Sequence, residues 1–95
     1  MKFAAIIEYT PDQAKIADLR PAHREYLAEL RKAGKCAMAG PFHDDSGALI
    51  VYEADSKEEV EKIMQADPFG QGGVFVSWTI RPWKLLWIQQ DLMPV

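Results

Sequence analysis

Short apolar runs and helical spacings divide the chain into four predicted strands and two predicted helices. Runs rich in Ile, Val and aromatic residues favour strands, which we expect at residues 2–9, 36–39, 48–54 and 74–80. Ser56 followed by Glu59 is a capping-box pattern. A helix is therefore expected over residues 57–66.

Proline and glycine set the limits of the other predicted helix. Residues 10–12 end the first strand and open a turn or short helix that reaches residue 19. Pro21 favours the first position of a helix, where its missing N–H would be unpaired in any case. Gly34 is typical of the position just past a helix end. A helix over residues 21–33 is the prediction.

The resulting order, βαββαβ, is typical of the ferredoxin-like fold. In that α+β arrangement, two helices pack on one face of an antiparallel sheet. A chain of 95 residues predicts a single domain. We expect its core over residues 1–80 and a C-terminal extension over residues 81–95.

Both faces of the predicted sheet are apolar. In the fourth strand we expect Val74, Val76, Trp78 and Ile80 on one face and Phe75, Ser77 and Thr79 on the other. A sheet with one wet face alternates apolar and polar residues, and two helices cover only one face. The favoured cover for the second face is another copy of the chain, packed sheet to sheet. The alternative is that the tail after Pro82 folds back over its own sheet.

Composition limits the possible partners. The net charge of −3 argues against nucleic acid, and the longest apolar runs, residues 3–7 and 48–52, are too short to span a membrane. A single cysteine, Cys36, excludes an intramolecular disulfide and suits a reducing compartment. With no apolar stretch typical of a secretory signal, a cytoplasmic location is expected.

His23 and Asp67 are the candidate catalytic residues. His23 precedes Tyr26, Leu27 and Leu30 at helical spacing and therefore faces inward. Asp67 continues the apolar stripe of the second helix, four residues after Ile63. A lone inward histidine is more often a core residue. An inward carboxylate at the negative end of a helix dipole, however, needs a donor.

Two donors for Asp67 stay open. The backbone N–H groups of Phe69 and Gly70 could serve, as in an Asx turn. His23 could serve instead, and such a pair fixes the imidazole tautomer and raises its basicity.

Other candidate ligand-binding residues have simple alternatives. Arg20 could bind a carboxylate or enolate near the helix N-terminus, or be a surface guanidinium. Gly40 and Pro41 could let backbone approach a ligand, although an ordinary turn is favoured. Phe69 could line an aromatic pocket or belong to the core. Tyr9 could donate a hydrogen bond to a ligand, although a sheet tyrosine more often packs.

Metal and cofactor motifs are not found. Cys36 and the two histidines lack a zinc-ligand spacing, and the adjacent polar residues 43–45 read as a solvated turn. The glycines at 70, 72 and 73 follow a helix and precede a strand, the wrong context for a dinucleotide. We expect neither a metal nor a cofactor.

A set of short motifs resembles the YCII-related (YciI-like) family in order and spacing over about residues 1–80. These motifs are Arg20-Pro21-Ala22-His23, Tyr26-Leu27, Ala33-Gly34-Lys35, Ala39-Gly40-Pro41-Phe42, Gly47 and Ala66-Asp67-Pro68-Phe69. The resemblance implies a ferredoxin-like dimer, a dimeric α+β barrel, whose pocket holds a His-Asp dyad. His23 and Asp67 align with that dyad. The family is similar to muconolactone isomerases and includes a dehydrochlorinase.

Two functions from different classes follow. The first is a small cofactor-independent enzyme in which His23 is the general base, Asp67 orients it, and Arg20 or backbone N–H groups stabilise an oxyanion. Isomerisation or elimination would follow from such a site. The second is a non-catalytic module that binds a small ligand or partner, with a structural His-Asp pair. In both cases we expect a homodimer, with larger assemblies left open.

Overall fold

The four strands form one antiparallel sheet in the computed structural model, which describes residues 1–93. The elements are β1 (Lys2–Tyr9), α1 (Gln13–Lys32), β2 (Cys36–Pro41), β3 (Gly47–Glu53), α2 (Lys57–Ala66), the one-turn α3 (Pro68–Gln71) and β4 (Phe75–Trp83). The strand order across the sheet is β2-β3-β1-β4. The predicted α+β, ferredoxin-like order is confirmed, with one helical turn added after α2.

The predicted C-terminal extension begins inside β4, which continues to Trp83. A short 3₁₀ turn then spans Gln90–Leu92, and Pro94 and Val95 lie outside the described residues. No helix within residues 1–93 is long and apolar enough to cross a membrane.

The core lies between the helices and one face of the sheet. Ala5 on β1 pairs with Ile50 on β3 and Ile80 on β4, and all three are buried. The helices contribute buried apolar residues to the same cluster, among them Ile16, Leu30, Val60 and Met64. The candidate residues on α1 and α2 therefore enter an interior that is already apolar.

The first helix is longer than predicted. The expected break at Pro21 is wrong, since α1 runs from Gln13 to Lys32 with this proline inside it. Asp12 caps the helix start by accepting the N–H of Lys15 at 3.1 Å. Burial of Ile16 anchors the turns ahead of the proline, so packing outweighs the hydrogen bond that Pro21 cannot make.

Two strand predictions also need correction. β2 includes Gly40 and Pro41 rather than ending at Ala39; the strand lies at the sheet edge, where a proline is tolerated. The register between β1 and β4 shifts at Glu8/Tyr9. At this irregularity the expected alternation fails, because Phe75 is buried on the same face as Ile80 and Val76 is 52% exposed.

The side of the sheet away from the helices, here called the open face, carries Ala4, Ile6, Leu49 and Val51. Ile6 is 47% exposed and Leu49 is 36% exposed, whereas Val51 is only 2% exposed. A groove of about 490 Å³ beside it is lined by Met38 and by tail residues 83–89, 92 and 93. The tail therefore reaches one end of the open face and leaves the other end uncovered.

Candidate active site

His23 lies on the buried side of α1. Ile16, His23 and Leu30 are the buried residues of this helix, and they recur every seven residues, which is about two helical turns. Only 5% of His23 is exposed. The apolar side of α1 therefore carries the imidazole into the interior.

Asp67 lies between α2 and α3 and is fully buried. Its extended backbone is the conformation that the following Pro68 favours. Its side chain caps α3, because Oδ1 accepts the N–H of Phe69 at 2.9 Å. A side chain at Gly70 would overlap the carbonyl oxygen of Met64, so a glycine permits this tight turn.

The structure brings the two candidate catalytic side chains together. Nδ1 of His23 lies 2.7 Å from Oδ1 of Asp67. The same oxygen accepts the Phe69 N–H, so Asp67 has one donor from each of the two alternatives, although no bond from the Gly70 N–H to this carboxylate is found among residues 1–93. A carboxylate only accepts hydrogen bonds, which makes Nδ1 the donor and leaves Nε2 unprotonated in the neutral ring.

Nε2 of His23 reaches solvent. No hydrogen bond to it occurs within residues 1–93. In that part of the chain, the fully enclosed side-chain nitrogen and oxygen atoms without a partner are the Tyr52 hydroxyl and Oδ2 of Asp67. Nε2 is not one of these enclosed atoms. The unprotonated nitrogen is therefore accessible to solvent, whereas the Asp67 carboxylate on the other side of the ring is buried.

Three aromatic rings, those of Tyr9, Phe69 and Phe75, form a cluster with the imidazole. His23 is parallel to Phe69, with centroids 3.9 Å apart and planes 6° apart. Tyr9 stacks on Phe75 at 6.0 Å and 21°. The two stacks meet nearly at right angles, at 78° between Tyr9 and Phe69 and 85° between His23 and Phe75. Stacked and edge-to-face contacts of this kind restrict ring orientation.

Charges of both signs act on the Tyr9 hydroxyl. Burial, together with the Asp67 carboxylate, raises the pKa of Tyr9 to about 12. The guanidinium of Arg20 acts in the opposite direction. The phenol of Tyr9 is therefore neutral at physiological pH, with the Asp67 and Arg20 charges near it.

Phe69 contacts the pair directly and Arg20 lies on the same helix as His23, although their roles in binding stay predictions. Phe69 stacks on His23. Arg20 is partly exposed and lies 3.7 Å from a carboxylate oxygen of Asp45, in the turn between β2 and β3. The ion pair joins α1 to that turn, at the end of the sheet where β1 ends at Tyr9.

Gly40 and Pro41 lie on the edge strand β2, away from the His23–Asp67 pair. Both are exposed on β2, and Gly40 pairs with Leu49, whose side chain is on the open face. Gly40 is therefore on the opposite side of the sheet from His23. A contact between Gly40 and a ligand stays a prediction, and Gly40 does not adjoin the His23 site.

Phe75 is the residue of this cluster that sequence reasoning missed. Strict alternation along β4 assigned it to the other face, and the register shift opposite Glu8/Tyr9 has no signature in the sequence. A second groove, of about 400 Å³, is lined by residues including Phe42, Ser46 and Thr79, and His23 lines neither groove. Residues 1–93 contain no group of three or more His, Cys, Asp or Glu that could hold a metal ion.

The match to a known family covers most of the chain. The family model of the YCII-related domain matches residues 1–84, so the chain belongs to the YCII-related family. The resemblance inferred from the motifs is confirmed.

Two curated relatives and one solved structure are similar to the chain. The uncharacterized protein YjpA of Bacillus subtilis (strain 168) is 43% identical over 63 residues, which cover 66% of this chain and 73% of YjpA. Protein YciI of Escherichia coli O6:H1 is 30% identical over 90 residues, which cover 80% of this chain and 92% of YciI.

The solved structure is that of a dehydrochlorinase. It is the 5-chloro-2-hydroxyhydroquinone dehydrochlorinase TftG from Burkholderia phenoliruptrix AC1100, in complex with 2,5-dihydroxybenzoquinone. The TM-score is 0.77 at 29% identity, and the match covers 88% of this chain and 94% of TftG. The shared architecture agrees with the ferredoxin-like fold described above.

Proposed function

We propose that this chain is a small enzyme in which His23 acts as a general base and Asp67 orients it. The observation that supports this proposal most is the 2.7 Å contact between Nδ1 and the buried carboxylate. That contact leaves Nε2 free and open to solvent. A general base needs an unprotonated atom that substrate can reach, held in a fixed tautomer.

The reaction begins with proton removal by Nε2, from a carbon next to a carbonyl or from a hydroxyl group. The imidazolium that forms is stabilised by Asp67, and the oxyanion on the substrate by Arg20 or backbone N–H groups. In an isomerisation, the imidazolium returns the proton to another atom. In an elimination, a leaving group such as chloride departs with the bonding electrons, so the substrate loses HCl and needs no external oxidant.

The substrate class follows from the similarity to TftG, which acts on a chlorinated hydroxyhydroquinone and is complexed with a dihydroxybenzoquinone. We infer that the ligand here is a small ring compound bearing carbonyl or hydroxyl oxygens. The aromatic cluster of Tyr9, Phe69 and Phe75 around the imidazole supports an apolar, ring-shaped ligand.

The test compares His23→Gln and Asp67→Asn with the wild type in a screen of enolisable acids, lactones and chlorinated phenols. We expect each variant to lower kcat by about 10²- to 10⁴-fold, the usual contribution of a general base. His43→Gln is the matched control, since His43 is an exposed histidine in the loop after β2. It should leave kcat unchanged.

Nitrogen NMR of the imidazole tests the geometry independently of substrate. The wild-type His23 should show a proton on Nδ1, and Asp67→Asn should alter that signal. Full turnover in His23→Gln would disprove the general-base role. Ligand binding that needs His23 without any turnover would favour a non-catalytic binding module.

We also propose a homodimer in which the open faces of two copies pack together. The apolar side chains of Ile6, Leu49 and Val76 are 47%, 36% and 52% exposed. A charged or polar face would be expected if this side of the sheet stayed in water. Coverage by the tail at the other end of the face limits the contact to the part near these residues.

A further inference from the structure

The hydroxyl of Tyr9 is a second polar group that opens beside His23. The residue is only 6% exposed, and its hydroxyl has no hydrogen-bond partner among the described residues. It is not one of the fully enclosed atoms that lack a partner. The hydroxyl therefore reaches solvent from an otherwise buried side chain.

The three tyrosines of the chain differ in how their hydroxyls are satisfied. Tyr26 donates to the carbonyl oxygen of Ile63 at 2.7 Å, and the hydroxyl of Tyr52 is enclosed without a partner. Buried tyrosines usually find a partner for their hydroxyl. Tyr9 alone of the three combines a buried ring with an open, unpaired hydroxyl.

Tyr9 and His23 pack on the same two rings. The centroid of Phe69 lies 5.4 Å from Tyr9 and 3.9 Å from His23. The centroid of Phe75 lies 6.0 Å from Tyr9 and 5.9 Å from His23. Two polar side chains anchored on one pair of phenylalanines are held at a fixed separation.

Among the charges near Tyr9, those of Arg20 and Arg24 favour a ligand oxygen of negative or growing negative charge. The guanidinium groups of Arg20 and Arg24, four residues apart on α1, lower the pKa of this hydroxyl, whereas the Asp67 and Asp45 carboxylates raise it. Because burial raises the pKa of Tyr9 to about 12, its hydroxyl keeps its proton. A neutral phenol can donate that proton to an oxyanion.

We propose that Tyr9 donates a hydrogen bond to a carbonyl or enolate oxygen of the ligand while Nε2 of His23 takes the proton. Tyr9 is thus a substrate-contacting residue, one that selects ligands with an oxygen opposite the acidic proton. The assignment rests on the proposed function, since it uses the same site. It adds a donor on β1 to a pair supplied by α1 and the α2–α3 junction.

The test uses 2,5-dihydroxybenzoquinone as the probe and Tyr9→Phe as the variant. The variant keeps the ring and its stacking on Phe75 and removes only the hydroxyl. We expect its dissociation constant to rise by about 10-fold or more, the usual effect of losing a hydrogen bond to a charged oxygen. The matched control is Tyr52→Phe, which removes an enclosed hydroxyl and should bind as the wild type does.

A second readout, the ¹³C signal of the tyrosine rings, uses the wild-type protein alone. In wild-type protein labelled with ¹³C at the tyrosine ring carbon that bears the hydroxyl, the probe should shift the Tyr9 signal more than those of Tyr26 and Tyr52. Thermal unfolding of Tyr9→Phe should stay close to that of the wild type. A lower melting temperature with unchanged affinity would indicate a purely structural role and overturn the proposal.

The outcomes separate this assignment from the proposed function. Equal affinity of wild type and Tyr9→Phe, together with turnover that depends on His23, overturns the assignment alone. Weakened probe binding in Tyr9→Phe without any His23-dependent turnover supports the assignment and overturns the enzyme. If the wild type does not bind the probe, the proposed ligand class and the Tyr9 assignment both fail.

Discussion

Asp67 connects a local turn to the candidate active site through one oxygen atom. Oδ1 accepts the Phe69 N–H that begins α3 and the Nδ1–H of His23, which is 44 residues away in sequence. The ring of Phe69 then stacks on the same imidazole. The turn therefore sets both the tautomer and the plane of His23, which is the preorganisation that proton transfer at a fixed site needs.

The raised pKa values of the tyrosines determine how the stability of the fold responds to alkaline pH. Burial raises the pKa of Tyr9 to about 12 and also raises the pKa values of Tyr26 and Tyr52. A raised folded pKa means that the folded state holds the proton more tightly than the unfolded state. This contribution to stability is fully present below the unfolded pKa of about 10 and is lost as pH rises through the folded pKa.

We therefore expect little tyrosinate absorbance in the native protein at a pH near 10, where the urea-unfolded chain is about half ionised. At higher pH, tyrosine ionisation and loss of the circular dichroism signal should occur together. A tyrosine that ionises reversibly near pH 10 in the folded protein would contradict this expectation. Repeating the titration with Tyr9→Phe would show whether that residue is responsible.

At the scale of elements, α1 carries a proline that weakens it. Pro21 is exposed and lies in the helix interior, where proline lacks a hydrogen bond and is about 3 kcal/mol less favourable than alanine. Proline also restricts the unfolded chain, which offsets part of that cost by about 0.4–1 kcal/mol. Pro21→Ala should raise the free energy of unfolding by about 2–3 kcal/mol, measured by urea denaturation.

Ala22→Gly is the matched control at the neighbouring exposed position, and it should lower the free energy of unfolding by about 1 kcal/mol. A lower stability of Pro21→Ala would mean that the backbone conformation that Pro21 favours is needed. His23 follows only two residues later, so the Nδ1 proton signal of the imidazole would then change in the same variant.

Local signals in the sequence predicted some elements closely and could not predict others. The bounds of β1 and α2 agree with prediction because a turn and the Ser56 cap are adjacent to them. The carboxylate of Glu59 in turn accepts the N–H of Asp55, at 2.7 Å. The length of α1 and the register shift in β4 depend on packing between distant segments, which no local pattern reports.

The same distinction holds for the site. Helical spacing predicted that His23 and Asp67 point inward, and both are buried. Their contact, the position of Phe75 and the open hydroxyl of Tyr9 follow from how α1, the α2–α3 junction and the sheet meet in space. Pairs separated by 44 residues, as these two are, leave no periodic signal in one sequence.

At the scale of the whole molecule, the tail lies at one end of the open face and leaves the other end to the proposed partner copy. Tail residues lie beside Met38 at one end, and Val51 is 2% exposed there. Ile6 and Leu49, which pair across β1 and β3, remain exposed at the other. A partner copy would therefore meet a surface made jointly by the sheet and the tail.

Ile6→Glu tests this interface directly, because it places a charge in the middle of the exposed apolar part of the open face. Burying an unpaired carboxylate between two sheets costs several kcal/mol, whereas the same side chain in water costs little. We expect the wild type to have twice the mass of the chain by light scattering, and Ile6→Glu to have the mass of one chain with its far-ultraviolet circular dichroism retained. Ala28→Glu, on the exposed side of α1, is the control and should stay dimeric. A dimeric Ile6→Glu, or a monomeric wild type, would show that this face is not the interface and that the tail is its only cover.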